Sequence, residues 1–110
     1  MEESLTATEL AVLVAVARLA NAAYGVTIRE DVGACTGRPP SLASVYAALD
    51  RLEQRGLVRP WLSAPRPERG GRARRHFELT TPGTALVRRE RANALRMWQN
   101  LVVDKPGSRR

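Results

Sequence analysis

The 110-residue sequence predicts a mainly α-helical fold with a small antiparallel β-hairpin: a winged helix-turn-helix followed by a C-terminal helix. Three observations carry this. An apolar stripe at helical spacing, Leu42, Val45, Leu49 and Leu52, is followed at once by Gly56 and a strand. Two short strand-like runs, Leu57 to Leu62 and Arg74 to Thr80, flank a basic loop that Pro65, Pro67 and Gly70-Gly71 exclude from helix and strand. Finally, Thr81-Pro82 opens a long helical stretch.

In chain order, Thr6 and Glu9 form a capping box, and the helix it opens is expected to run to about Leu19 or Ala20. Leu10, Leu13, Val14 and Ala17 make its expected core stripe, while Val12, Val16 and Leu19 lie on the other side. A helix apolar nearly all round is covered on both sides, and a domain of this size has one core, so the second face needs a partner. Asn21 to Gly25 is a turn; Val26, Ile28 and Val32 mark a short second helix ending near Gly37, before Pro39-Pro40. The third helix carries Ala43, Ser44, Ala47, Arg51 and Arg55 opposite its apolar stripe, and Gly56 supplies its left-handed terminator. In the hairpin, Phe77 and Leu79 alternate with His76 and Glu78 as in a half-buried strand, and Pro60 suits an edge. The last helix, with Thr81 as N-cap and Pro82 at its first position, is expected to persist to about Val103. The divisions are therefore residues 1–80, a winged helix-turn-helix; 81–103, a dimerisation helix; and 104–110, a polar, basic, mobile tail.

Charge narrows the function. Eighteen Lys and Arg stand against eleven Asp and Glu, a formal +7, so an anionic partner is favoured. Double-stranded DNA precedes a membrane, because no lipid-facing basic amphipathic helix is evident; the acidic start and a short, Arg18-interrupted apolar run give no signal peptide or span, so a cytoplasmic protein is expected. Aromatics at 5% are too few for base-stacking on RNA. A lone cysteine, Cys35, excludes an internal disulfide and, with His76 as the single histidine, a metal set; it reads as a small apolar filler. No carboxylate pair, nucleophile with base or phosphate-cradling loop points to an enzyme or a cofactor.

A helix face of small residues with arginines at its far end approaches base edges closely. Candidate DNA-binding residues are accordingly Arg38, Ser41, Ser44, Tyr46, Arg51 and Arg55 around the third helix, and Arg66, Arg69, Arg72, Arg74 and Arg75 on the hairpin, where arginine suits phosphates and the minor groove. Tyr46 lies at the edge of the core stripe, where its ring packs or its hydroxyl reaches a phosphate. Glu53, near the apolar face, requires an arginine partner. The alternative is a winged-helix protein-interaction module, which would show a wing of mixed charge and exposed aromatics on its third helix. Val87, Ala94 and Leu101 recur every seventh residue beside Met97 and Trp98, a stripe the wing cannot cover. Pairing it with the first helix of a second copy gives a homodimer through Leu10, Val12, Val16, Leu19, Val87, Ala94, Met97, Trp98 and Leu101.

From about Leu5 to Leu101 the sequence resembles the PadR-family transcriptional regulators, in the subgroup with a single C-terminal helix. The resemblance rests on Tyr24-Gly25, Ser44-Val45-Tyr46 with Leu49 and Leu52, Gly56-Leu57-Val58, and the run from Gly70 to Thr80. It departs at Ala47, where proline is frequent, at His76-Phe77, which replaces a pair of tyrosines, and in an unusually arginine-rich tip. The resemblance implies a homodimeric repressor with its third helix in the major groove, and a planar aromatic effector stacking on Trp98 between paired C-terminal helices.

Overall fold

The computed structural model describes residues 4–63, 74–104 and 106–107. The elements are α1 (Ala7–Leu19), a 3₁₀ turn (Ala20–Ala22), α2 (Gly25–Thr36), α3 (Leu42–Gln54), β1 (Val58–Leu62), β2 (Arg75–Leu79) and α4 (Thr81–Trp98). This is the winged-helix order: three helices, a two-stranded antiparallel hairpin and a closing helix. Among the described residues no helix is long and apolar enough to cross a membrane.

Local chemistry sets most boundaries. Thr6 and Glu9 exchange side-chain and backbone hydrogen bonds across the first turn of α1 (3.0 and 3.1 Å). Gly37 ends α2 with φ of 77°, and the Arg29 guanidinium donates to the Pro40 carbonyl at 2.7 Å, which fixes the turn into α3. Gly56, at φ of 75°, ends α3, and the Leu57 amide returns to the Leu52 carbonyl at 2.9 Å.

The core gathers Val12, Leu13 and Val16 of α1, Ile28 and Val32 of α2, Val45, Ala48, Leu49 and Leu52 of α3, and Leu57, Val58 and Phe77 from the hairpin. This corrects the reading of α1. Val12 and Val16 belong to the protomer's own core, whereas Leu10, Val14 and Ala17 are only partly buried. Periodicity cannot choose a face on a helix apolar all round. Tertiary contact chooses it: buried Glu9 meets Arg51 of α3, so Val12, Leu13 and Val16, at three, four and seven residues on, share the inward side. Leu19 and Val87 are likewise partly buried against the same core. Leu42 is exposed, and Ala48 packs in its stead.

In the hairpin, Val58 pairs with Leu79, Pro60 with Phe77 and Leu62 with Arg75. The Phe77 amide donates to the Ala23 carbonyl at 2.9 Å, and Tyr24 bridges to His76, so the hairpin continues onto the segment before α2. His76, expected to face outward, is therefore buried. Cys35 is exposed on α2 and is not a core filler.

Two corrections concern α4. Thr80, not Thr81, is its cap: the Thr80 hydroxyl accepts from the Gly83 amide at 3.1 Å and donates to the Gly56 carbonyl at 2.5 Å. The helix ends at Trp98, because Gln99 is extended and Asn100 takes the left-handed φ of 65° that asparagine tolerates. Leu101, Val102 and Val103 lie beyond it. The first turns of α4 dock on the core through Leu86 and Val87, while Arg91 to Trp98 are exposed throughout. The proposed tail is described only at Asp104, Pro106 and Gly107; its remainder lies outside the described residues.

A test of this docking is Gly83→Ala. An added Cβ would sit 2.0 Å from the Leu57 carbonyl oxygen, a backbone atom that cannot swing away. Helix propensity alone favours alanine by about 1 kcal/mol. The expected outcome is nonetheless a loss of about 1–3 kcal/mol in urea unfolding, as for overpacked sites. A stabilised variant would refute the close α4 contact.

Candidate nucleic-acid interface

The α3 helix begins at Ser41, whose hydroxyl accepts from the Ser44 amide at 3.1 Å and donates to the Ser44 hydroxyl at 3.0 Å. Its outward face is Ala43, Ser44 and Ala47, all exposed, and the small side chains leave the backbone open to close approach. Arg38, just before it, is exposed and, among the described residues, makes no side-chain hydrogen bond or ion pair.

Tyr46 both packs and shows an edge. It is 43% exposed, yet its hydroxyl lies so close over Gly25 that a Cβ there would meet the oxygen at 2.2 Å. Tyr24-Gly25 and Tyr46, separate runs in the sequence, are thus one contact. It joins the outer side of α3 to the N-terminus of α2.

At the other end of α3 the expected arginines are engaged within the protein. Arg51 hydrogen-bonds Glu9 through Nε, so it spans α3 to α1 instead of lying free for a base edge. The Glu9 carboxyl is held below the usual carboxylate range, first by the Thr6 amide, then by the bond to Arg51, with Arg55 adding an attractive field. The sequence identified Glu9 as a cap but did not reveal its partner, forty-two residues away. Arg75 pairs with Glu53 at 3.2 Å and lies over the Phe77 ring at 5.2 Å, which supplies the partner Glu53 required. Arg59 and Glu78, cross-strand neighbours, pair at 2.5 Å.

Arg74 differs. Its guanidinium sits 4.6 Å from the centre of the Tyr24 ring and, among the described residues, has no carboxylate partner. Arg66, Arg69 and Arg72 lie outside the described residues. The structure therefore joins Ser41, Ser44, Tyr46 and Arg74 along a strip running over α3, Gly25, Tyr24 and the wing base. It does not bring Arg51 or Arg75 into that strip as unpaired cations.

Of the expected dimer residues, Ala94, Met97 and Trp98 are exposed, the last two at 71% and 65%. No cluster of three or more metal-ligating side chains exists among the described residues.

The Glu9 environment fixes a pH dependence. A depressed folded pKa means that the stabilisation is complete above the ordinary carboxylate range and is lost as pH falls through the folded value. The urea midpoint should thus fall from neutral to acid pH more steeply in the parent than in Glu9→Gln. Parallel pH profiles would show that the Glu9 contacts contribute no such linkage.

The family model described as the PadR-like transcriptional regulators matches residues 12–89. No curated protein sequence matches the chain. Among solved structures, RosR from H. salinarum superposes with a TM-score of 0.70 at 22% identity, over 91% of this chain and 83% of that one. A PadR family transcription regulator from Clostridium difficile gives a TM-score of 0.69 at 20% identity, over 84% and 90%. A PadR-like transcriptional regulator from Bacillus cereus gives 0.64 at 20% identity, over 81% of each chain. At these identities the likeness is one of fold.

Proposed function

Because the chain belongs to the PadR-like family of transcriptional regulators, we propose that it is a repressor that binds an inverted-repeat operator in double-stranded DNA as a homodimer. The observation that carries this reading is the outer face of α3, where Ala43, Ser44 and Ala47 stand exposed beside the capping Ser41. Such a surface enters the major groove to the depth at which a serine hydroxyl meets base edges. Arg38 and Arg74 flank it as cations for the phosphates on either side, and Arg66, Arg69 and Arg72, outside the described residues, are proposed as further phosphate contacts. Arg51 acts through Glu9, holding α3 against α1.

The dimer is proposed to form through the exposed half of α4, with Ala94, Met97 and Trp98 set against the partly buried Leu10 and Leu19 on the α1 of a second copy. Val12 and Val16 support that surface from within. Two-fold symmetry then presents two α3 helices about one helical turn of DNA apart, or a multiple of it, which is why an inverted repeat is expected. A flat aromatic effector stacking on Trp98 would release DNA only by binding the non-operator spacing more tightly.

Footprinting on sites selected from random DNA should protect two symmetric half-sites, and Ser44→Ala should narrow the gap between operator and random duplex by about 1–3 kcal/mol. Protection of one asymmetric segment, or an unchanged gap, contradicts this arrangement. Light scattering at micromolar concentration should give twice the chain mass. The double change Met97→Glu with Trp98→Ser should halve that mass, and a parent protein that is already monomeric would remove the dimer.

A further inference from the structure

The buried stripe of α3, Val45, Ala48, Leu49 and Leu52, leaves Asp50 on the outer side, three residues beyond Ala47 and seven beyond Ala43. That spacing puts Asp50 on the same face of the helix as the two alanines. It is exposed and, among the described residues, its carboxylate makes no hydrogen bond or ion pair. The other carboxylate of α3 differs: Glu53 takes Arg75 at 3.2 Å.

A carboxylate without a partner on this face is unexpected in a chain of net charge +7 whose partner is a polyanion. Facing DNA, it is repelled by the phosphates, and it loses hydration as it enters the groove. Neither cost is recovered at a guanine edge, which presents acceptors. The donors on the floor of the major groove are two amino groups, cytosine N4 and adenine N6. The adenine amino group lies beside the N7 acceptor, which opposes a second negative atom, whereas cytosine N4 has no acceptor of its own ring next to it in the groove. An acceptor without a proton therefore matches cytosine.

We propose that Asp50 is a specificity-determining residue that accepts a hydrogen bond from the N4 amino group of a cytosine in each half-site. The proposal rests on the DNA-binding reading above. Asp50 adds little to affinity for DNA in general and discriminates by penalty: a base pair without a matching donor leaves the carboxylate desolvated and unpaired. Its short side chain reaches a base edge because Ala43 and Ala47, on the same face, let the helix backbone approach closely.

The test is selection of bound sites from a pool of random duplexes with the parent, Asp50→Ala and Asp50→Asn. Each protein is then titrated with the selected duplex, with the same duplex carrying thymine in place of the cytosine, and with a random duplex. Because Asp50 has no partner among the described residues, the three proteins should share one urea midpoint. The parent should select a fixed cytosine, and thymine in its place should weaken binding about tenfold, the scale of one lost base contact. Asp50→Ala should bind the random duplex more tightly than the parent and show no preference for cytosine. Asp50→Asn should turn the preference to adenine, because an amide both accepts from N6 and donates to N7. One unchanged base preference in all three proteins overturns the proposal. So does tighter binding of Asp50→Ala to the random duplex with the preference kept, which makes the carboxylate a general repulsion and no reader of bases. A common site without a fixed cytosine refutes the proposal alone, while a parent that selects no common site refutes the DNA-binding reading and the proposal with it.

Discussion

The hydrogen bond from the Phe77 amide to the Ala23 carbonyl, at 2.9 Å, fastens the hairpin to the helical core, and the positions of the described residues at the wing base follow from it. With that bond made, Phe77 drops into the core as one of its largest fully buried side chains, and His76 on the opposite side of the strand is turned onto Tyr24. Trp61, directly across the ladder, then closes over the His76 ring. A two-stranded hairpin has little stability of its own in water. Here its registry is fixed by contacts that belong to the helices, so the wing base is a rigid extension of the helix-turn-helix.

That anchoring apportions the positive charge. Several arginines are engaged: Arg51 with Glu9, Arg75 with Glu53, Arg59 with Glu78 and Arg18 with Asp31. Exposed pairs of this kind contribute at most about 1 kcal/mol each, so their main effect is to orient long side chains along the scaffold. Arg51–Glu9 is the exception in burial, since the Glu9 side chain is only 8% exposed and its other oxygen caps α1. Arg38 and Arg74, beside α3 and at the wing base, are among the described arginines that pair with no carboxylate. An excess of +7 therefore overstates the charge available at any one face, and the strip through α3, Tyr24 and Arg74 is better defined by which arginines remain unpaired than by how many there are.

The last helix divides in the same way. Its first half is committed to the protomer: Thr80 ties the cap to the end of α3, Gly83 lets the backbone touch Leu57, and Leu86 and Val87 meet the core. Its second half contributes nothing to that core. The heptad of Val87, Ala94 and Leu101 thus joins a residue that packs at home, one on an exposed turn and one past the end of the helix, and it does not describe a single seam.

The sequence by itself determined what depends on neighbours within about four residues. The Thr6 and Glu9 box, the helix ends at Gly37 and Gly56, and the stripe through Val45, Leu49 and Leu52 each place a backbone hydrogen bond or an apolar face locally, and each stands where the sequence put it, while the start of α4 falls one residue earlier than expected. Folding decided whatever depends on two distant segments meeting. Which face of α1 is inward, which carboxylate takes Arg51, and why His76 is buried all follow from contacts between segments far apart in the chain, such as Glu9 with Arg51 and Tyr24 with His76, where spacing carries no signal. The same holds for a cleft at the wing base. Asn21, Trp61 and Arg74 are ordinary surface residues apart, and only the Phe77 to Ala23 bond, by laying β2 along the start of α2, makes them the walls of one cleft.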